Sequence, residues 1–503
     1  MLEIKNLKIE NHEQAILDQV SFILHNHDKL AIIGEEGDGK STLLKAIMGL
    51  CTYATVTGTI NTHGKRLGYL KQIMSEHDFE LSVFHYLFCD MDDYYQKIDL
   101  FYRICQQLDW DLDIFTPLLV KDLSGGEKVK LQLCRILLTE PEILLLDEPT
   151  NDLDLETLSW LEQFINNDSR PILFVSHDEL FLEHTANCIL HLERIHKKEI
   201  PKATFTRCDY LTYVTSRIRM LQKTNRVAHS EQRKQKQQEA KLHQIMNKVE
   251  YQQETISRSN PHGGRLLKKK MKNLKAQERK LESKTITEVP DVEEAISFFF
   301  PEVYLPKDKV ILQLSLEVLK VENHVLSHSI ELEVRGPKHI VIIGKNGVGK
   351  TTLLKYILKV LKDRTDIKVG YMPQHYDEIL SSFDTPISFL LEHQSHIPVS
   401  TVRQWMGNMN LKREEMVGDM TKLSGGSKAK LCLLKLMVES CDVLLLDEPT
   451  RNVSPLSNPV IRKALKQYKG CIISISHDRK YIEEVADNVY LLEIDGIHEV
   501  CKR

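Results

Sequence analysis

The chain has 503 residues, 67 Lys+Arg against 71 Asp+Glu, and a formal net charge of −4. At roughly 100–200 residues per domain, this length suggests two to four domains. An apolar fraction of 42% and a charged fraction of 27% exclude disorder as the overall state. No stretch approaches the ~20 consecutive apolar residues of a membrane span. The start, Met1 to Lys5, lacks the basic-then-apolar pattern of a secretory signal. The ten cysteines are scattered, with no C-x₂-C spacing, and read as reduced thiols of a cytoplasmic protein. Taken as an average, the near-neutral charge argues against a nucleic-acid partner.

In chain order, the first element with chemistry is a short apolar run, Leu30 to Ile33, followed by Gly34-Glu35-Glu36-Gly37-Asp38-Gly39-Lys40-Ser41-Thr42. It fits G-x-x-x-x-G-K-[ST], and a helix-like stretch follows. That strand–loop–helix context is what the motif requires. Loop N–H groups cradle phosphate oxygens, and the helix N-terminus adds favourable potential. Lys40 reaches the β/γ-phosphates and the Ser41 hydroxyl suits Mg²⁺. Glu35, Glu36 and Asp38 put three carboxylates into this loop. Their side chains are expected to point outward, because the backbone does the binding. Even so, they are expected to weaken ATP affinity there.

Gln72 comes next, after Gly68-Tyr69-Leu70-Lys71, placed to contact Mg²⁺ and an attacking water. Leu123-Ser124-Gly125-Gly126-Glu127 opens a predicted helix and offers a second anion cradle. Leu144-Leu145-Leu146-Asp147-Glu148 reads as a buried strand. Its Asp147 carboxylate emerges at the strand end to hold Mg²⁺. Glu148 is placed to orient or deprotonate water. His177 ends a second apolar strand, Ile172 to Val175, and is expected to donate to the γ-phosphate.

After residue 195 the character changes. From Arg217 to Lys284 there are 19 Lys+Arg and 6 Asp+Glu, a net of +13, so the remainder carries −17. The spacing of Tyr210, Val214, Ile218 and Leu221, and of Leu242, Ile245, Met246 and Val249, predicts a helix from about Thr206 to the low 250s. Asn260-Pro261-His262-Gly263-Gly264 is read as a breaker. A second helix follows, with Leu267, Met271, Leu274 and Leu281 on one face. The pair is expected to form an antiparallel coiled-coil hairpin with its tip near 253–265. Arg258, Arg265, Lys268, Lys269, Lys270 and Lys272 are the candidate RNA contacts, because a rod of one sign suits a phosphate backbone. A spacer helix would be expected to mix signs.

The first set of motifs then repeats. Gly344-Lys345-Asn346-Gly347-Val348-Gly349-Lys350-Thr351-Thr352 follows Ile340 to Ile343. Gln374, Ser424-Gly425-Gly426, Asp447-Glu448 and His477 recur in the same order. Ser424, Asp447 and His477 each lie 300 residues after their counterparts. Such repetition means two copies of one domain. Thr351, Gln374 and Asp447 are the second set of Mg²⁺ candidates. Two departures mark the copies as unequal. Ser427 stands at the place of Glu127, and Arg451-Asn452-Val453-Ser454-Pro455 replaces Asn151-Asp152-Leu153-Asp154. No base-stacking aromatic is evident near either start; His12 and His324 are weak stand-ins.

This set of motifs resembles the ATP-binding-cassette ATPases. The resemblance implies an α/β fold of two P-loop cassettes, an ATP hydrolase, two ATP sites and Mg²⁺. It also implies head-to-tail pairing within one chain, so a monomer. One site would join Lys40, Asp147, Glu148 and His177 with Ser424 to Gly426. The other would join Lys350, Asp447, Glu448 and His477 with Ser124 to Gly126. Residues 1–195 form the first cassette, 196–305 the helical linker and 306–503 the second cassette.

With no membrane span and a basic helical linker, the whole chain resembles the ABC-F family of ribosome-binding ATPases. That resemblance implies a cytoplasmic, ribosome-associated protein whose partners are the 70S ribosome, its 23S rRNA and the P-site tRNA. Its ATP-bound form would enter the tRNA exit site. Only 52 residues separate Gln72 from Ser124, which leaves no room for an added arm. The chain also ends soon after the second cassette. This outline looks more like members that protect ribosomes from antibiotics. A translation factor for stalled ribosomes is the alternative within the family. A transporter's ATPase subunit is a different class, but it gives the basic hairpin no purpose. A DNA-repair cassette protein would carry zinc motifs or longer coiled coils, so no DNA partner is expected.

Overall fold

The computed structural model describes residues 1–11, 14–89, 91, 94–151, 153–195, 200–255, 261–282, 298–321, 324–394 and 396–500. These residues form two compact units, one of residues 1–211 and 292–503, the other of 212–291.

The first unit contains two similar cassettes. Each is built on a six-stranded sheet with five parallel strands and one antiparallel edge strand. In the first cassette the strand order is Leu67–Leu70, Ile143–Asp147, Ile172–Val175, Lys29–Ile33, Cys188–Ile195, Ile200–Thr206. In the second it is Val369–Met372, Val443–Asp447, Cys471–Ile475, His339–Ile343, Asn488–Glu493, Gly496–Val500. The central strands are continuous apolar runs because helices cover both faces. Ile143–Asp147 and Val443–Asp447 are buried along their whole length. A smaller antiparallel sheet completes each cassette: Gln14–Leu24, Leu2–Asn11 and Thr55–Asn61 in the first, Val310–Val321 and His324–Arg335 in the second.

Two boundaries differ from those expected at 195 and 306. Ile200–Thr206 pairs antiparallel with Cys188–Ile195, so the first sheet takes one strand from the residues assigned to the linker. Pro201 is tolerated because this is an edge strand. On the other side, Phe298 and Leu305 are buried in the core of the second cassette.

The second unit holds the helices Tyr210–Thr255 and Pro261–Glu282. At 1.5 Å per residue, the first is about 69 Å long. Leu242, Val249 and Leu274 pack together, with Met246, Leu267 and Met271 around them. His243 and Glu278 approach to 4.0 Å across the pair. The long helix starts four residues later than expected, because the preceding residues turn out of a strand. The second starts at Pro261, so Gly263 and Gly264 are helical rather than part of a loop. Proline needs no N–H in a first turn, which is why the apparent breaker opens a helix. Arg265, Lys268, Lys269, Lys270 and Lys272 are exposed along it. Arg258 lies outside the described residues, as does His12.

The cassettes meet across buried charge. Arg462 donates to Glu179 through Nη1 and Nη2, and its Nε donates to Glu484 at 3.0 Å. Arg462 and Glu179 keep only 2% and 5% of their side-chain exposure. Arg479 pairs with Glu162, and Lys480 with Glu179 and Glu183. Breaking a buried pair strands its partner's charge, at a cost of ~3–5 kcal/mol. Arg462→Ala is therefore expected to lower the free energy of unfolding, read from urea titration, by an amount in that range. The Arg462→Met, Glu179→Leu double variant leaves Lys480 paired with Glu183 and Glu484 open to solvent, and is expected to recover most of the loss.

Candidate functional site

The two phosphate loops share one backbone conformation. Gly34 and Gly344 each have φ +153°, and a Cβ at either would lie 2.3 Å and 2.5 Å from the carbonyl oxygens of Leu192 and Leu492. Only glycine lets these loops pass so close to the neighbouring strand. Gly37, Gly39, Gly347 and Gly349 also have positive φ. Lys40 Nζ donates to the carbonyls of Gly34 and Glu35, each at 2.9 Å. Lys350 Nζ donates to those of Gly344 and Lys345 at 2.8 and 2.9 Å. Each loop thus wraps its own lysine, a ring sized for a phosphate group.

In the first cassette the remaining candidates satisfy one another. Ser41 Oγ donates to Asp147 Oδ1 at 2.8 Å, and Tyr69 OH donates to Asp147 Oδ2 at 3.1 Å. Gln72 Nε2 donates to Glu148 Oε2 at 2.8 Å, and Asn151 donates to the same oxygen. His177 Nε2 lies 3.6 Å from Glu148 Oε1, while His177 Nδ1 donates to Val453 O of the second cassette at 3.0 Å. Burial alone would raise the Glu148 pKa. The hydrogen bond and charge of His177, with Lys40 and Asn151, outweigh it and hold the carboxyl at about 2.

The second cassette carries the same residues with fewer internal partners. Asp447 Oδ2, Tyr371 OH and His477 Nδ1 are buried and find no hydrogen-bond partner among the described residues. Of these, Asp447 and His477 border a cavity of about 560 Å³ lined also by Asn346, Gly347, Gly349, Lys350, Thr351, Thr352, Gln374 and Glu448. Thr150, Asn151, Leu153 and Asp178 of the first cassette close its other side. His324 also lines it. The volume lies in the range of small-molecule sites. Buried donors and acceptors left open beside such a cavity fit a triphosphate with a metal ion. Gln374 is thus at the site, whereas Ser124, Gly125 and Gly126 are not among the lining residues.

Glu448 differs from Glu148 in charge as well as contacts. Burial and the neighbouring Asp447 carboxylate push its pKa up to about 8. His477 N–H donates to Glu448 Oε2 at 3.3 Å, and His477 Nε2 lies 3.9 Å from Oε1. Burial and Lys350 lower His477 to about 4, so this histidine is neutral at pH 7. Asp147 and Asp447 are both raised by burial.

The signature segments are also unequal. Ser124 caps its helix with Glu127, Ser124 N donating to Glu127 Oε2 at 2.8 Å. Ser424 caps Gly425–Glu439 through Ser427 N at 3.2 Å. Glu36 of the first phosphate loop reaches the Gly426 N–H, which joins Ser424 to Gly426 to the site built on Lys40. The outward orientation expected for the loop carboxylates holds for Glu35 and Glu36 and fails for Asp38, which is buried. Glu35 and Glu36 turn across the cassette interface, and Asp38 folds back, its Oδ2 accepting from Glu35 N at 2.8 Å.

Sequence reasoning missed two features. Tyr69 and Tyr371 stand beside the aspartates, a role that only the strand register reveals. Glu148 and Glu448 both adopt left-handed backbone, with φ 50° and 53°. Such strain at a non-glycine residue clusters at functional positions. No sequence signal marks it, since asparagine or glycine would be the usual choice.

The fold and these sites define a P-loop nucleotide hydrolase with two tandem cassettes. The family model described as "ABC transporter" matches residues 17–151 and 327–451. The chain belongs to that family of ATP-binding-cassette ATPases, and it is an ATP hydrolase. It is similar to an ATP-binding protein of Bacillus subtilis, YdiF, at 28% identity over 99% of this chain and 81% of that one. It is also similar to "ABC transporter F family member 2" of Arabidopsis thaliana, at 29% identity over 75% of this chain, although the match covers only 54% of that relative's length. Among solved structures it resembles "RNase-L Inhibitor", with a TM-score of 0.59 at 15% identity over 97% of this chain and 89% of that one, a likeness of fold. No helix among the described residues is long and apolar enough to cross a membrane.

Glu448 sets a pH prediction. Its folded pKa of about 8 stands above the ordinary 4.5, so the folded state holds the extra proton between those values. Its contribution to stability is complete below pH 4.5 and is lost as pH rises through about 8. Glu448→Gln cannot lose that proton. In nucleotide-free protein, the variant is expected to gain stability relative to the native chain between pH 6 and pH 9, read as the difference in urea midpoints.

Proposed function

We propose that this chain is an ABC-F ATPase that binds the ribosome and protects it from antibiotics acting at the peptidyl transferase centre. The observation that carries the reading is the combination of two paired cassettes with a separate basic helical hairpin. The hairpin bears a net +13 between Arg217 and Lys284, on a chain otherwise at −17. Exposed Arg265, Lys268, Lys269, Lys270 and Lys272 suit the phosphates of 23S rRNA and of P-site tRNA. Arg258 is proposed with them from sequence. The acidic remainder discourages nonspecific adhesion to RNA. Relatives named as F-family members support the subfamily.

In this reading each nucleotide sits on one phosphate loop, with Lys40 or Lys350 on its β/γ-phosphates. Ser41, Gln72 and Asp147, or Thr351, Gln374 and Asp447, would hold Mg²⁺. When bound, that ion neutralises charge developing on the transferred phosphoryl group. Glu448 is the proposed general base, acting from its ionised fraction, which grows as pH rises toward about 8. Its carboxylate takes a proton from the attacking water, and neutral His477 orients beside it. Glu148 is ionised but engaged by Gln72, Asn151 and His177, so it is a poor base until those contacts change. ATP binding closes the cassettes into the ribosome-binding form, and hydrolysis releases it. Drug protection is the finer claim; a factor that resolves stalled ribosomes would share the same chemistry.

Glu448→Gln is expected to lower the ATPase kcat at least a hundredfold, and Glu148→Gln by less than tenfold. With ATP present, Glu448→Gln should co-sediment with 70S ribosomes, and the native chain should do so only transiently. If the variant stays in the supernatant with ATP, the ribosome reading is wrong. Charge reversal of Lys268, Lys269 and Lys270 is expected to abolish ribosome binding while ATPase activity survives.

A further inference from the structure

Two departures from the internal repeat meet at the site built on Lys40. The second phosphate loop carries Lys345 and Asn346 where the first carries Glu35 and Glu36. The first signature helix carries Glu127 where the second carries Ser427. Glu127 closes a capping box on its own helix. Ser427 brings no carboxylate, and its hydroxyl donates to Glu415 Oε1 at 2.8 Å. The carboxylate at the start of Gly425–Glu439 comes instead from the other cassette, since Gly426 N–H donates to Glu36 Oε2.

The fit is close. A Cβ on Gly425 would stand 3.0 Å from Glu36 Oε2, so a side chain there would crowd the carboxylate. Beside it, Lys430 Nζ donates to Glu35 Oε1 at 2.8 Å, with 7% and 15% of the two side chains exposed. The matching pair does not arise at the other site. The corresponding positions there are Lys345 and Lys130, both cations. Lys130 donates to Asp109 O at 3.0 Å and lies over the Trp160 ring, while Lys345 pairs with Glu156.

We propose that Glu36 stands in for the terminal phosphate of a nucleotide at this site, so that the site takes a nucleoside diphosphate about as well as a triphosphate. The N–H groups at the start of Gly425–Glu439 form an anion cradle facing the phosphate loop. A carboxylate already accepts from one of them, Gly426 N–H, and the Lys430–Glu35 pair holds that part of the loop. A γ-phosphate must displace the Glu36 carboxylate or accept a like charge a few ångströms away. A diphosphate meets neither cost. The cassettes are thus joined at this site through the protein's own anion, and only the cavity built on Lys350 senses the γ-phosphate. This inference rests on Lys40 and Ser41 binding nucleotide, as assigned above.

The test uses the full chain with Lys350→Ala, which removes nucleotide from the other site. Displacement of a fluorescent ADP analogue is measured with MgADP and with the magnesium complex of a β,γ-imido ATP analogue. The two are expected to bind within threefold of each other. Glu36→Asn, which copies Asn346, should raise preference for the triphosphate at least tenfold with ADP affinity retained. Glu36→Gln serves the same purpose should the first variant fold poorly. A strong triphosphate preference before substitution, or a ratio that neither variant changes, overturns the proposal. Lys40→Ala added to Lys350→Ala should abolish both signals. If binding survives it, the assignment of this site to nucleotide fails, and the inference with it.

Discussion

Everything at the two sites depends on how the cassettes face each other, and buried charge sets that. Arg462 sits between Glu179 and Glu484, and the pairs around it run the same way. Glu35, Glu156, Glu162, Glu179 and Glu183 come from the first cassette; Lys430, Lys345, Arg479, Arg462 and Lys480 come from the second. Two copies of one domain have thus diverged into an acidic face and a basic face. A pair with opposite faces has one register, because sliding or exchanging them brings like charges together. The cost of desolvating the buried pairs among them is offset only in that register, whereas Lys345 and Glu156 stay exposed.

Once the faces differ, the sites at their edges differ too. Around Lys40, side chains answer one another: Tyr69 to Asp147, Gln72 and Asn151 to Glu148, His177 to Val453, Glu36 to Gly426. Around Lys350, the same positions leave Asp447, Tyr371 and His477 with open polar atoms, and Asp447 and His477 line a cavity. The low-dielectric setting raises Glu448 to about 8, while the contacts of Glu148 hold it at about 2. One site resembles a clasp and the other a reaction chamber, although their motifs are nearly identical in sequence.

The motifs were legible because each is local. A glycine loop, a buried strand ending in Asp-Glu and a histidine after a second strand need only adjacent residues to be recognised. The helical hairpin followed from heptad-like spacing and charge. What escaped the sequence is what two distant segments do together. Glu36 and Gly426 are 390 residues apart, and nothing in either motif points to the other. Ser427 and the loop carboxylates stood out separately as departures, but only the fold sets them against each other. Ile200–Thr206 was missed as a strand because Pro201 masks its alternation, and Pro261 was taken to break the helix that it begins. The left-handed turn at Glu148 and Glu448 is imposed by surrounding structure and leaves no local trace.

The claim of unequal sites is tested most directly by a single-turnover quench. Protein is loaded with two equivalents of radiolabelled MgATP per chain, and phosphate release is followed from the moment of mixing with a chase of unlabelled nucleotide. With unequal sites, a fast phase of about one equivalent or less is expected, with any remaining nucleotide released unhydrolysed or turned over at least tenfold more slowly. Two equivalents released with a single rate constant would contradict it.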